Sequence, residues 1–143
     1  MPEHDFDPKK LSLRVRVTLA ADRDSIEPVV EQVMQIIREM KSADGKEDAI
    51  ELSLQEALAN AVVHGAKEDS SKVVECLVAC DEDRGILIIV RDPGEGFDPA
   101  AIPSCTVGQN LYSNHGRGIF LINQLMDEVK FHKNGTEIHM VKR

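Results

Sequence analysis

The sequence predicts an α+β two-layer sandwich, a mainly antiparallel mixed sheet with three helices on one face. Three observations support this class. Residues 11–19 alternate apolar and polar side chains, which is typical of a strand with one face on a core. Four later β-rich segments occur in two pairs joined by turn-forming sequences, which predicts hairpins. Three segments carry apolar residues at helical spacing and can cover one face of the sheet.

The first half of the chain is predicted to hold two helices after the first strand. Asp24 and Ser25 are candidate N-caps, and apolar residues then recur at helical spacing up to residue 40. Residues 41–47 are interpreted as a loop. A second helix is expected over residues 48–64, with Gly65 as its C-terminal cap.

The second half is predicted to hold two hairpins around a long loop and a third helix. The segments are strands over 72–80 and 85–91, a loop over 92–115, a helix from Gly116 to about 127, and strands over 129–133 and 136–142 turned by Asn134-Gly135. A loop as long as 92–115 is usually functional or mobile. No internal repeat, linker or second domain is apparent, so residues 1–143 are expected to form one domain with a polar tail at 1–10.

The composition excludes several classes of protein. A net charge of −8 argues against nucleic-acid binding, which needs clustered Lys and Arg. No apolar run approaches the roughly 20 residues of a membrane span, and the first residues lack the apolar region of a signal peptide. We therefore expect no membrane association and a cytoplasmic protein. Cys76 and Cys80, about 13 Å apart on one face of a strand, are interpreted as buried free thiols.

The second helix carries the first candidate site. Glu56, Asn60 and His64 are spaced four apart and form a stripe beside the apolar face. A carboxylate and an amide oxygen on one stripe can hold a hard cation or a polarised water. Taken alone, the stripe fits a solvated helix face better than a binding site.

Two glycine-containing segments downstream are the other candidates. Asp92 follows an apolar strand and could accept a hydrogen bond from an exocyclic amine, while Gly94 and Gly96 allow the backbone to approach a flat ring. Gly116-Arg117-Gly118 lies at the start of a helix, where free N–H groups can bind phosphate. Each pattern alone also fits a turn or helix start without a ligand, and the P-loop pattern is absent.

Taken in order, the three segments resemble the nucleotide-binding domain of the GHKL ATPase and kinase superfamily, the histidine-kinase-like ATPase domain. The matching residues are Glu56-x-x-x-Asn60-Ala61-x-x-His64-Gly65 for the N box, Asp92-x-Gly94-x-Gly96-Phe97 for the first glycine box, Gly116-Arg117-Gly118-Ile119-Phe120-Leu121-Ile122 for the second, and Gly135-Thr136 for the last short box. The resemblance extends from about residue 11 to residue 143.

The resemblance implies ATP and Mg²⁺ as cofactors and gives the matching residues roles. Asn60 would ligate Mg²⁺ that bridges the ATP phosphates, and Glu56 would be the general base that orients the attacking hydroxyl. Asp92 would bind the adenine amine, helped by Thr136 through water. His64 stays undecided between packing and a phosphate contact.

The remaining matches concern the walls of the pocket. They form two sets: Gly94 and Gly96, which would shape the adenine pocket, and Gly116, Arg117 and Gly118, which would hold the phosphates. Residues 98–115 would act as a lid over the bound ATP.

Within the superfamily the chain is most similar to the anti-sigma factor serine/threonine-protein kinases, the RsbW- and SpoIIAB-like group. This similarity implies a kinase that phosphorylates a STAS-type anti-sigma antagonist and sequesters a sigma factor when unopposed. Members of the group often pair, which leaves a homodimer open. Two alternatives remain: a non-catalytic ATP-binding module that switches partners, and a detached histidine-kinase catalytic domain. The presence of Glu56 argues against the first, because a pure switch needs no base.

Overall fold

The computed structural model describes residues 11–40, 43–81, 85–94, 114–133 and 135–143, with the backbone alone at 11–13 and 114–117. The elements are β1 (Leu11–Ala20), α1 (Ile26–Arg38), α2 (Glu47–Asn60), β2 (Val73–Asp81), β3 (Gly85–Arg91), α3 (Asn114–Leu125), β4 (Glu128–His132) and β5 (Glu137–Lys142). This order confirms the predicted sequence of strands and helices. No helix within the described ranges is both long and apolar enough to cross a membrane.

The five strands form one sheet in the order β1-β2-β3-β5-β4, and every pairing among the described residues is antiparallel. Alternation along each strand places one set of side chains against the helices. Cys76 belongs to that set, opposite Val17 on β1 and Val90 on β3. Cys76 and Cys80 are both buried, as predicted, and burial raises the pKa of Cys76 to about 12.

The core lies between the sheet and the helices. α1 buries the residues that recur at helical spacing, Val29, Val30, Val33, Met34 and Ile37. α2 lies between α1 and α3 and contacts β3, with Ile50, Leu54 and Leu58 fully buried. Burying each such side chain contributes about 1.5–3 kcal/mol. α2 is thus held on three sides, which makes it a rigid support for side chains at its carboxyl end.

The end of α2 differs from the prediction. Gly65 was expected to cap the helix, and such caps adopt positive φ, but the positive φ values fall at Lys67 (53°) and Glu68 (57°) instead. The chain continues from α2 into a π-helical turn, Ala61–Gly65, in which the Ala66 N–H donates to the Ala61 carbonyl at 2.8 Å. The predicted cap at Gly65 is therefore wrong.

Two further boundaries differ in detail. Ser25 makes no side-chain capping bond; Asp22 Oδ1 instead accepts from the Ser25 N–H at 2.8 Å and caps the short 3₁₀ turn before α1. The β4–β5 pairing ends at His132 and Glu137, so the connection has four residues rather than the two of a type I′ turn. Lys133 has a φ of 52° in this connection; Asn134 lies outside the described residues.

Candidate functional site

The predicted polar stripe lies at the carboxyl end of α2. Glu56 and Asn60 are half-buried, whereas His64, in the π-helical turn, is exposed. Asn60 is the last residue of the regular helix. The structure therefore places the carboxylate and the amide beside the core and sets His64 apart from them.

The start of α3 lies directly against this stripe. Gly118 is buried, and a methyl group at its position would lie 2.7 Å from Glu56 Oε2 and 3.4 Å from Asn60 Nδ2. A side chain at residue 118 would therefore displace Glu56. The absence of a side chain at Gly118 lets the first turns of α3 approach the carboxylate and the amide, as the two predicted motifs require.

Asp92 follows directly after β3, where one hydrogen bond holds its backbone and another holds its side chain. Its N–H donates to the Thr136 carbonyl at 2.9 Å, which extends the β3–β5 pairing by one bond. Its Oδ1 accepts from the Gly94 N–H at 2.8 Å. The Thr136 hydroxyl donates to the Lys133 carbonyl at 2.8 Å and keeps acceptor capacity for a water. Asp92 and Thr136 are thus neighbours, as the last short motif predicts.

Burial raises the pKa of the Asp92 carboxyl, although the Gly94 N–H opposes the shift. One N–H donor only partly replaces the water that the carboxylate has lost. Within the part of the chain that the structure describes, the carboxylate therefore keeps acceptor capacity in a poorly solvated place, which suits a ligand that brings a hydrogen-bond donor.

Gly65 joins the α2 motif to Asp92. A methyl group at Gly65 would lie 2.5 Å from both carboxylate oxygens of Asp92. A methyl group at Gly94 would overlap the Gly65 carbonyl oxygen and lie 2.9 Å from Asp92 Oδ1. In the described residues the close approach at Gly94 is therefore to the protein's own backbone, whereas the sequence suggested an approach to a ring.

The predicted site residues thus converge from four elements. Glu56 and Asn60 contact the start of α3 at Gly118, and the turn after Asn60 contacts Asp92. Gly116 lies in the first turn of α3. Gly96, the Arg117 side chain and residues 98–113 of the predicted lid lie outside what the structure describes; its last two residues, Asn114 and His115, belong to α3.

The donor set at the end of α2 fits Mg²⁺ together with phosphates. In the described part of the chain, no group of three or more His, Cys, Asp or Glu side chains could hold a metal ion. Mg²⁺ in nucleotide sites, however, is usually held by one or two protein oxygens plus phosphates and waters. The half-buried Asn60 oxygen, beside Glu56 and a helix start that can accept phosphate, matches that pattern.

A charged network that the sequence did not predict lies on the opposite face of the sheet. Glu137, only 5% exposed, pairs with Arg91 Nε at 2.9 Å, Lys133 Nζ at 3.3 Å and His139 Nε2 at 2.7 Å. Burial alone would raise the pKa of Glu137, but the His139 hydrogen bond and the Arg91 and Lys133 charges lower it to about 2. Arg91 immediately precedes Asp92, and Glu137 immediately follows Thr136. The Arg91–Glu137 pair therefore holds together the two strand ends that carry Asp92 and Thr136.

Comparison with known proteins identifies the family of this chain. The family described as Histidine kinase-like ATPase domain matches residues 19–142. The chain is 37% identical over 110 residues to the Serine-protein kinase RsbW of Staphylococcus epidermidis, covering 71% of this chain and 67% of that protein. It is 28% identical over 134 residues to the Anti-sigma F factor of Clostridium acetobutylicum (90% and 82% covered) and 29% over 133 residues to that of Bacillus thuringiensis (89% and 80%). The chain belongs to the histidine kinase-like ATPase domain family, and serine-protein kinases and anti-sigma factors are among its relatives.

Proposed function

We propose that this protein is an ATP-dependent serine/threonine-protein kinase that phosphorylates a protein antagonist and also acts as an anti-sigma factor. The observation that carries the proposal is the convergence of Glu56, Asn60 and Gly118 at one end of α2, with Asp92 in contact with the turn that follows. Relatives named serine-protein kinase and anti-sigma factor support both activities.

Asp92 recognises the adenine in this proposal. Its carboxylate accepts a hydrogen bond from the exocyclic amine, and the Thr136 hydroxyl acts through a water. The bond from the Gly94 N–H to Asp92 Oδ1 and the bond from the Asp92 N–H to the Thr136 carbonyl fix the carboxylate before the nucleotide arrives. Gly94 and Gly96 line the same pocket. Preorganisation of this kind reduces the entropy lost on binding.

Asn60 and the start of α3 hold the phosphate end of ATP. The Asn60 oxygen ligates Mg²⁺, while Gly116, Arg117 and Gly118 contact the phosphates at the helix start. When bound, Mg²⁺ neutralises charge that develops on the transferred phosphoryl group. The part of the predicted lid that precedes α3, residues 98–113, would close over the nucleotide.

Glu56 orients the serine or threonine hydroxyl of the protein substrate and accepts its proton. Gly118 leaves room for the Glu56 carboxylate beside Asn60, and therefore beside the proposed phosphate position. Phosphoryl transfer needs mainly positioning and charge neutralisation, so a single base of this kind suffices.

The proposed protein partners are a STAS-type antagonist, which is the phosphate acceptor, and a sigma factor, which is bound when the antagonist is phosphorylated. The anti-sigma relatives support this choice. A sigma factor acts inside the cell, so the cytoplasm is the proposed place of action.

The test is a transfer assay with γ-labelled ATP, Mg²⁺ and a purified STAS-type antagonist protein, with ATP affinity measured in parallel by calorimetry. We expect Glu56→Gln to abolish labelling while keeping ATP affinity within a few-fold, and Asn60→Ala to lose both. Glu51→Gln is the matched control, because Glu51 lies on the same helix in a surface ion pair with Arg38 at 3.0 Å. It should retain labelling and binding.

Two results would replace the proposal. If ATP binds but the antagonist gains no label, while Glu56→Gln still switches partners, the protein is a non-catalytic switch. If the label is acid-labile, the acceptor is a histidine and the protein is a detached histidine-kinase domain. Acid-stable label that requires Glu56 supports the serine/threonine kinase.

A further inference from the structure

We infer that Gly65 is a positioning residue for nucleotide recognition. The space left by its missing side chain, which we call the seat, determines where the Asp92 carboxylate lies. This inference rests on the proposed function, because it assumes that Asp92 binds the base. It gives Gly65 a role distinct from the cap that the sequence suggested.

The contact involves the whole carboxylate group of Asp92. A methyl group at Gly65 would overlap Asp92 Cγ and lie 2.5 Å from both Oδ1 and Oδ2. Asp92 cannot move aside freely, since its N–H is bonded to Thr136 and its Oδ1 to the Gly94 N–H. Any side chain at Gly65 must therefore break one of these bonds or push back the turn after α2.

Backbone conformation does not explain the glycine. The described glycines with positive φ are Gly45, Gly85 and Gly135, and Gly65 is not among them. Steric access, rather than a left-handed conformation, is what Gly65 supplies.

The π-helical turn directs Gly65 toward Asp92. The turn is closed by the Ala66–Ala61 bond and followed by a bond from the Glu68 N–H to the Val62 carbonyl, both at 2.8 Å. One extra residue in a turn rotates the residues that follow by about 100°. The turn thus decides which side of the chain meets the carboxylate, and turns of this kind are frequent at functional sites.

Gly94 completes the seat from the other side. Its backbone lies against the Gly65 carbonyl, where a methyl group would be 2.8 Å from the Gly65 carbonyl carbon. Gly65 is therefore enclosed between the carboxylate of Asp92 and the backbone of Gly94. Because Asn60 lies only five residues earlier in the same continuous turn, the seat also fixes the distance between the metal end and the adenine end of the site.

The experiment measures affinities for ATP and GTP, both with Mg²⁺, by calorimetry. GTP has a carbonyl where ATP has the exocyclic amine, so their affinity ratio reports on the position of the Asp92 carboxylate. We expect Gly65→Ala to weaken ATP binding about tenfold to a hundredfold, which is the range for losing a hydrogen bond to a charged group. The variant should also show a smaller preference for ATP over GTP than the wild type.

A double variant separates positioning from general damage to the fold. Asp92→Ala removes the three atoms that lie nearest to the new methyl group. In that background Gly65→Ala should cause no further loss of ATP affinity or melting temperature. Gly45→Ala is the control for strain alone, because its φ of +78° disfavours a side chain while nothing lies within 4 Å; it should lower the melting temperature and leave the ATP/GTP ratio unchanged.

The inference is overturned if Gly65→Ala keeps the wild-type ATP/GTP ratio, or if it costs the same affinity with and without the Asp92 carboxylate. A wild-type protein that does not prefer ATP over GTP would instead contradict the proposed role of Asp92, which is a different failure.

Discussion

Among the described residues, the partly buried Asp92 carboxylate accepts one hydrogen bond, from the Gly94 N–H, and burial raises its pKa. We expect Asp92→Asn to weaken ATP binding at least about tenfold. When the amide oxygen of the Asp92→Asn variant accepts from the Gly94 N–H, the amide NH₂ group faces the exocyclic amine of adenine. Both groups are hydrogen-bond donors, so no hydrogen bond forms between them. Calorimetry with ATP and Mg²⁺ measures this loss.

The same variant should retain or gain stability at neutral pH. A raised pKa in the folded state means that the ionised carboxylate costs stability above that pKa. A neutral amide avoids this cost and keeps the Gly94 bond. The stability of the variant relative to the wild type should therefore decrease as pH falls through the pKa of Asp92, as thermal melts across an acid pH series would measure. A variant that is unstable at pH 7 yet binds ATP normally would contradict this account.

Single residues also show the limit of sequence analysis. Glu56, Asn60 and Asp92 could be predicted because their chemistry and spacing follow a motif. The role of Gly65 could not, since a glycine after a helix fits both a left-handed cap and a close contact. Only the position of Asp92, which is 27 positions further along the chain, decides between them, and the left-handed residues are Lys67 and Glu68 instead.

Among the elements, the β3–β5 pairing carries a charged network that should stabilise the strand ends beside Asp92. Glu137→Gln removes the carboxylate that holds Arg91 at 2.9 Å and His139 at 2.7 Å. Each pKa unit corresponds to about 1.4 kcal/mol. The fall from 4.5 to about 2 then represents about 3 kcal/mol of stability at pH 7. Urea denaturation measures this difference.

The pH dependence of that difference follows from the sign of the shift. A folded pKa below the unfolded one gives stability that is present above about pH 4.5 and lost as pH falls toward 2. The gap between wild type and Glu137→Gln should close over this range. Glu51→Gln, in a surface pair, should differ from the wild type by under about 1 kcal/mol throughout. A constant gap between pH 7 and pH 3 for Glu137→Gln would exclude the carboxylate as its source.

Element positions were predictable to within a few residues because the local periodicity of α1 and β1 reports burial directly. The network around Glu137 was not, since it depends on β5 lying between β3 and β4. Strand order is a property of the tertiary structure, and no local pattern near Arg91 or Glu137 contains it. The Asn134-Gly135 signal likewise located the last hairpin but gave the wrong connection length, because pairing stops at His132 and Glu137.

For the molecule as a whole, motif order succeeded where single motifs were ambiguous. The three motif segments lie far apart in the chain, yet they meet at the carboxyl end of α2. They meet there because α2 lies between α1, α3 and β3. A ligand bound there should therefore couple α2, α3 and the β3–β5 edge, each of which contributes side chains to the core. Its binding energy should appear in global unfolding.

Magnesium and ATP together should accordingly raise the melting temperature of the whole domain. A ligand at 100 times its Kd adds about 2.7 kcal/mol, which for a domain of this size is a rise of about 5–15 °C. Chelating Mg²⁺ with EDTA at constant ATP should remove much of that rise in the wild type, because the phosphates then lack the bridge to Asn60. Asn60→Ala should show a small rise in melting temperature that EDTA hardly changes, whereas Glu56→Gln should respond like the wild type.

Equal sensitivity of Asn60→Ala and wild type to EDTA would mean that the metal is held elsewhere. This pair of variants tests the assignment of Asn60 without a protein substrate, since differential scanning fluorimetry reads binding directly.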